Sequence, residues 1–366
     1  MIEVGSDLRR VVVRSVGSAS PAVASLLARA LPLSPARLAH CLYRAPAVLL
    51  DRLEEPQART ICGLLEQTGL SVEVTGVDEP VAEGSADHDL AVHVPDPAKF
   101  REVAAAVAAF VGCEPKRAVD MLCGSPPLVL GQVSEATALV LAERLEPLGA
   151  EVDVSRTSQA RYDVFVQAPE GDLRRRIARQ LSSAGIETQP EGPIVALGIA
   201  RSAAEALWSR VGAGEHWRLV DRALQRFEIQ VTAVPETEAA TLALVAASGM
   251  PRELVPKLRK RLPIVLLESL RHGAASAALE QLTQAGVQAA ARLVTLLAWD
   301  VVVREVADIS AAAGVLASIL GKERRPLELT LARLPARLDV SVGLARGRWL
   351  VHELGAVGAR AVLEEK

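Results

Sequence analysis

Aromatic side chains are scarce in this chain, only 3% of 366 residues. That scarcity argues against a stacking platform for single-stranded nucleic acid and leaves the cores to Leu, Val, Ile and Ala. Cysteine is scarce too. Cys41, Cys62, Cys113 and Cys123 show no CxxC spacing, which removes the usual zinc and redox signatures. They read as buried free thiols suited to a reducing cytoplasm. No apolar run is long: "AAAGVLASIL" (311–320) is about half the ~20 residues a membrane-spanning helix requires, so no membrane insertion is expected. The opening "MIEVGSDLRR" carries acids where a secretory signal needs a basic end, so no signal peptide is expected.

Net charge is nearly absent as well, −3 overall, too balanced for a general nucleic-acid or anionic-membrane binder. The balance hides an asymmetry. Residues 1–158 hold 14 Lys and Arg against 21 Asp and Glu, leaving the remainder at +4. Also missing are GxxxxGK[ST], a strand followed by GxGxxG, and a GxSxG elbow. His40 beside Cys41 has no third ligand nearby. His88 and His93 stand among Asp87, Asp89 and Asp96 in what reads as a solvated linker. No catalytic residue, metal site or cofactor is expected, and the chain reads as not an enzyme.

What is present is a repeat. Five Val-rich strands, "VVVRSV" (11–16), "LAVHV" (90–94), "DVFVQA" (163–168), "IQVTAV" (229–234) and "VVVREV" (301–306), start 79, 73, 66 and 72 residues apart. Each precedes an Ala/Leu/Val helix with apolar positions three and four apart, as at Val103, Val107, Phe110 and Val111. A second helix then opens with proline in its first turn (Pro35, Pro115, Pro251, Pro326) and closes before another (Pro46, Pro126, Pro263, Pro335). A short second strand, a third helix, a capping glycine (Gly69, Gly149, Gly214, Gly286, and Gly355 or Gly358) and a last strand follow.

The expected fold is therefore α+β: five tandem small β-α-α-β-α-β domains over 8–76, 88–156, 161–221, 226–294 and 298–366. The third lacks its second helix, because "IETQPEGP" stands there instead. The joints are short except for the polar "TGVDEPVAEGSADHD" (75–89), which reads as a looser linker. First strands apolar on both faces imply a second covering layer, from a neighbour or a partner. Trp217 and Trp299, near the joints, read as core residues or as anchors between domains.

"KRAVDMLCGSPPLVLGQVSEATALVLAERLEPLGAEVDV", in the second domain, resembles the C-terminal domain of the bacterial ribosomal stalk protein, whose fold is shared by the adaptor of the Clp protease. The likeness covers a whole domain and is clearest in the first, second and fourth. It implies the same small fold and a protein-docking second helix, whose lysines in the stalk family meet translational GTPases. Lys116 matches one such position; Val119 stands a turn later, and Ala36 and Ala39 stand in the first domain.

One basic cluster stands out. "MPRELVPKLRKRLP" places Arg252, Lys257, Arg259, Lys260 and Arg261 in and around the fourth domain's second helix, and "KERRPLELTLARLPARL" places Arg324 and Arg325 at the equivalent point of the fifth. These are the candidate partner-binding residues, facing a protein partner that is acidic. "DLRRRIARQ" (172–180) reads as arginines facing water. The functional expectation is a cytoplasmic, non-enzymatic scaffold or adaptor that binds partner proteins through an array of domains. The alternative is a ribosome- or GTPase-associated, translation-linked factor docking through the same helices, and self-assembly through sheet faces is a third expectation.

Overall fold

The computed structural model describes residues 8–19, 23, 27–29, 33–167, 171–212 and 216–365. It is a mixed α+β chain with five separate three-stranded antiparallel sheets. In every sheet the strand that comes first in sequence lies in the centre.

The first sheet contains β1 (Leu8–Ser15), β2 (Ala47–Glu54) and β3 (Ser71–Gly76), with α1 (Pro35–Tyr43) before β2 and α2 (Glu55–Gln67) before β3. The helix expected directly after β1 falls mostly outside the described residues. The second sheet contains β4 (His88–His93), β5 (Leu128–Val133) and β6 (Glu151–Arg156), with α3 (Phe100–Val111), α4 (Pro115–Leu122) and α5 (Glu135–Leu145). The third contains β7 (Arg161–Val166), β8 (Ile194–Ala200) and β9 (Trp217–Asp221), with α6 (Asp172–Ser183) and α7 (Arg201–Val211). The fourth contains β10 (Arg226–Ala233), β11 (Ile264–Arg271) and β12 (Gln288–Leu293), with α8 (Glu238–Ser248), α9 (Val255–Arg259) and α10 (His272–Gln284). The fifth contains β13 (Trp299–Val306), β14 (Ala336–Val342) and β15 (Ala359–Glu365), with α11 (Ile309–Leu320), α12 (Arg324–Leu331) and α13 (Leu344–Ala356).

The proline markers act locally as their chemistry dictates. Ser34 caps α1 by accepting the Arg37 N–H, and Pro35 fills the first turn, where its missing N–H has no helical partner. The peptide bonds before Pro46, Pro126, Pro263 and Pro335 are cis. The fourth domain departs from the expected single helix. A 3-10 turn (Arg252–Leu254) precedes the five-residue α9, because Pro256 cannot donate a backbone hydrogen bond and so divides the segment. At the helix ends Gly69, Gly149, Gly286 and Gly358 take positive φ, while Gly214 lies outside the described residues. Gly69 has a second reason to be glycine: a Cβ there would lie 2.4 Å from Ser18 Oγ and 2.8 Å from Ala19 N.

A bulge recurs where sequence patterning gives no hint of it. Between β1 and β2 the register slips opposite Arg10, and Arg52 takes φ 56°. The slip recurs opposite Asp89 with Gln132 at φ 56°, opposite Asp163 with Gly198 at φ 63°, and opposite Glu228 with Ser269 at φ 56°. A carboxylate supplies the ladder partner that the bulge removes. Asp51 accepts the Arg52 N–H at 2.9 Å, Asp89 the Gln132 N–H at 2.9 Å, and Asp163 the Gly198 N–H at 2.6 Å. Such a kink also blunts the outer strand as a template for further pairing.

Successive residues are buried in β1 (Val11, Val12, Val13), β4, β7 and β13, so both faces of these central strands are covered, though in the first and fifth sheets by the sheet's own side chains and not by the neighbour or partner expected. Only β10 breaks the run, at the half-buried Gln230. In the first and fifth sheets the covering on the second face is polar. Val12 shares its face with Arg10, Arg14 and Glu73, framed by the Arg10–Asp51 (3.0 Å) and Arg14–Glu73 ion pairs. Val302 is framed in the same way by Arg337–Asp300 (3.0 Å), Arg337–Glu364 (2.6 Å) and Arg304–Glu364 (3.2 Å). Long charged arms whose methylenes lie along the sheet close these small faces.

The chain divides into two compact blocks, Met1–Ser158 and Gln159–Lys366, at the border between its acidic and basic parts. Within the first block the second domain grips the backbone of the first. The Ser134 N–H donates to Tyr43 O at 2.8 Å, Thr137 Oγ1 lies 3.0 Å from Leu42 O, and Arg144 donates to Gly17 O at 2.6 Å and to Ala19 O. The polar 75–89 segment is not loose. The Gly84 N–H donates to Pro46 O at 2.8 Å, and a Cβ on Gly84 would lie 2.4 Å from Ala45 O. Nor is Asp87 a solvated acid. It accepts from Ser158 Oγ (2.5 Å), Thr157 Oγ1 (2.7 Å), Ser158 N (2.7 Å) and Arg156 Nε (3.1 Å). Those donors, the Ser158 and Thr157 hydroxyls foremost, hold its carboxyl well below the usual range.

In the second block no helix stands between α6 and β8. Arg174 occupies that region and is buried, not facing water; its guanidinium donates to Gln189 O at 2.5 Å and Gly192 O at 3.1 Å. Trp217 belongs to the third domain's own core, beside Ile177, Leu181 and Leu207, and donates to Gly212 O at 3.1 Å. Asp163, 3% exposed, accepts from Arg222 (2.7 Å) and Gln225 (3.0 Å), tying β7 to the joint before β10. Arg292 joins Glu228 (2.6 Å) to Glu365, and Arg348 pairs with Glu268, so the fourth and fifth domains are linked by charge.

Two measurements check this packing. Arg174→Met should cost about 2 kcal/mol in denaturant unfolding, because two loop carbonyls lose their donor, whereas the exposed Arg176→Met should stay within about 0.5 kcal/mol. Asp87 has a lowered pKa in the folded state, so its contribution is present above about pH 4 and is lost as pH falls below that. Asp87→Asn should therefore lower Tm at neutral pH by on the order of a few degrees and flatten the acid limb of the Tm-against-pH curve.

Candidate functional site

The basic cluster is built on short helices held by few apolar anchors. In the fourth domain Val255 and Leu258 are buried, which turns Leu254, Lys257, Lys260 and Arg261 outward. In the fifth, Leu327 and Leu331 are buried on α12, turning Arg325 and Leu329 outward. A helix with two inward positions over two turns leaves most of its circumference to solvent.

The seven sequence candidates separate into two groups. Lys257, Lys260, Arg261 and Arg325 are exposed, and no ion pair within the described residues engages them. Arg252, Arg259 and Arg324 are committed inside their own domain. Arg252 pairs with Glu238 at 2.5 Å. Arg259 is half-buried and donates to Pro235 O at 2.8 Å and Thr241 Oγ1 at 3.3 Å, pinning α9 to the start of α8. Arg324 donates to Glu328 Oε1 at 3.0 Å and to Ser310 O at 2.8 Å. The inward role of Arg259 has a sequence signal: it lies four residues after Val255 and one after Leu258, on the edge of the buried stripe. The Arg324–Glu328 pair has one too, its i,i+4 spacing.

Charge alone missed the apolar half of this surface. Leu254 lies beside the free cations of the fourth domain, and Leu329, 69% exposed, lies one turn from Arg325. Leu242 on α8 and Ile309 at the start of α11 are exposed as well. Each of the two segments thus sets an exposed leucine beside unpaired cations.

Other clusters are internally satisfied. Arg9, Glu55, Arg59, Cys62, Gly63, Glu66 and Val74 line an open cleft of about 500 Å³ in the first domain. Glu55 is shared by Arg59 (2.9 Å) and Arg9 (3.1 Å), which hold its carboxyl low. Burial, then Glu66, pushes the Cys62 thiol up, the opposite of what a nucleophile needs. Burial likewise raises Cys41, whose Sγ lies 3.7 Å from Val48 O. Among the described residues, no group of three His, Cys, Asp or Glu side chains is placed to hold a metal ion.

No protein family, no characterised protein and no solved structure was found to match the chain.

The division of labour among the arginines is directly measurable. Arg259→Ala should cost about 1–2 kcal/mol in stability, because it removes two donors to α8 and its preceding loop. Lys260→Ala, one residue on, should change stability by less than about 0.5 kcal/mol.

Proposed function

We propose that this chain is a scaffold or adaptor without catalytic activity, which binds acidic partner proteins through the second helices of its fourth and fifth domains. The observation that carries the reading is the pairing of exposed leucines with unengaged cations on equivalent helices of two consecutive domains. We read the five sheets as copies of one β-α-α-β-α-β domain resembling the ribosomal stalk C-terminal domain and the Clp adaptor, the third copy without its second helix. The five domain spans stated from sequence belong to this reading. Two equivalent faces in one block raise the effective concentration for a partner carrying two acidic motifs. Four cysteines outside any disulfide suit a bacterial cytoplasm, and no helix among the described residues is long and apolar enough to cross a membrane.

The second reading, a translation-linked factor that meets the ribosome or a GTPase, uses the same four free cations and is separated by experiment. The full chain and a Lys257→Glu/Lys260→Glu/Arg261→Glu variant are used to capture partners at low salt from ribosome-depleted and complete extracts. The scaffold reading expects a defined protein set from both extracts, reduced on the order of tenfold or more in the variant. Ribosomal particles or a GTPase captured only from complete extract would move the function to translation. Full retention by the variant would remove these helices as the docking face.

A further inference from the structure

The acidic block carries a helix face that complements the basic one. On α5, Glu135, Leu139 and Glu143 follow one another at intervals of four, so they form one stripe about 12 Å long. All three are exposed, Leu139 at 54%, and neither glutamate is in an ion pair within the described residues. The opposite side of α5 is spent on the core through Ala138, Leu141 and Leu145. The stripe therefore has no part in holding its own domain together.

In the basic block, Arg325, Leu329 and Arg333 repeat the same spacing with the charges inverted. Arg325 and Leu329 lie one turn apart on α12. Arg333 lies just past its end, where its N–H donates to Thr330 O at 3.3 Å and continues the turn. Leucine sits midway between two cations on one face and midway between two anions on the other.

We propose that the acidic α5 stripe of one copy docks on the basic α12 stripe of a second copy, joining copies head to tail. Two observations select a second copy as the occupant: the matched acid–leucine–acid and cation–leucine–cation spacing, and the charge of the blocks that carry them, 14 Lys and Arg against 21 Asp and Glu in 1–158 and a net +4 beyond. Such a contact buries two otherwise exposed leucines and sets each cation against an anion. It is heterologous, so it propagates into a ring or an open filament and does not stop at a symmetric dimer. The inference rests on the reading of the basic helices as docking faces and names their partner.

The test is the mass of the full chain against concentration, by sedimentation equilibrium, at low and high ionic strength. The wild type should grow beyond monomer with concentration at low salt and less so at high salt. Glu135→Lys/Glu143→Lys and Arg325→Glu/Arg333→Glu should each weaken association on the order of tenfold or more. Both pairs are exposed and in no ion pair among the described residues, so both variants should stay folded, with Tm within about 5 °C of the wild type even where Glu135→Lys removes the acid from the first turn of α5. Their equimolar mixture should assemble again, since each charge-reversed stripe then meets a complement. A monomer at every concentration, assembly indifferent to both reversals, or variants that fail to recover on mixing would overturn self-association. Retention of foreign partners through Lys257, Lys260 and Arg261 would leave the scaffold reading standing in those cases.

Discussion

The size of the sheets governs this molecule. Each is three strands of five to eight residues, enough to support one layer of helices and too small to enclose a core by itself. The helix-facing side takes the apolar residues, as in the fourth domain, where Ile229 and Val231 meet Leu244, Val255 and Leu282. The opposite side still has to be closed, and in the first and fifth sheets the closing layer is a lattice of ion pairs over one valine. That arrangement keeps a small sheet soluble on its second face while hiding the apolar residue at its centre.

A polar, internally paired sheet face and a kinked outer strand leave the helices as the surfaces on which contacts can be made. Within the first block that is how the domains join: α5 presents Ser134, Thr137 and Arg144 to backbone carbonyls of the preceding domain. Donors aimed at main-chain oxygens depend little on the neighbour's side chains, so a repeat can diverge in sequence and still stack. The third domain departs furthest from the common layout. It has no helix between α6 and β8, and the guanidinium of Arg174 holds the loop that stands there. The same logic leaves the second helices of the fourth and fifth domains available, anchored by only two buried side chains each.

Much of this was legible in the residue order because proline and valine act locally. The five Val-rich runs became the five central strands, and the paired prolines bracketed the second helices. The bulges were not legible, since Arg52, Gln132 and Ser269 carry no mark of a positive φ; only Gly198 does. The firmness of the 75–89 segment was hidden for a related reason. Its composition is that of a linker, but Gly84 and Asp87 are fixed by carbonyls and hydroxyls distant in sequence. Arg174 could have been found, because it lies three residues before Ile177 and seven before Leu181 on the buried stripe, yet a run of three arginines reads first as a solvated face. In the candidate site, charge located the helices, while geometry was needed to separate Arg252, Arg259 and Arg324 from the four cations that remain free.

Domains of this size are stable only as blocks, held by donors to main-chain carbonyls in the first block and by ion pairs between side chains in the second. Native-state hydrogen exchange of the full chain in mild denaturant tests it most directly. The account predicts that amides of β1 and β4 open with one shared free energy and those of β10 and β13 with another, because each pair belongs to one compact block. Five unrelated opening energies, one for each sheet, would contradict it and would make the chain a string of independent domains.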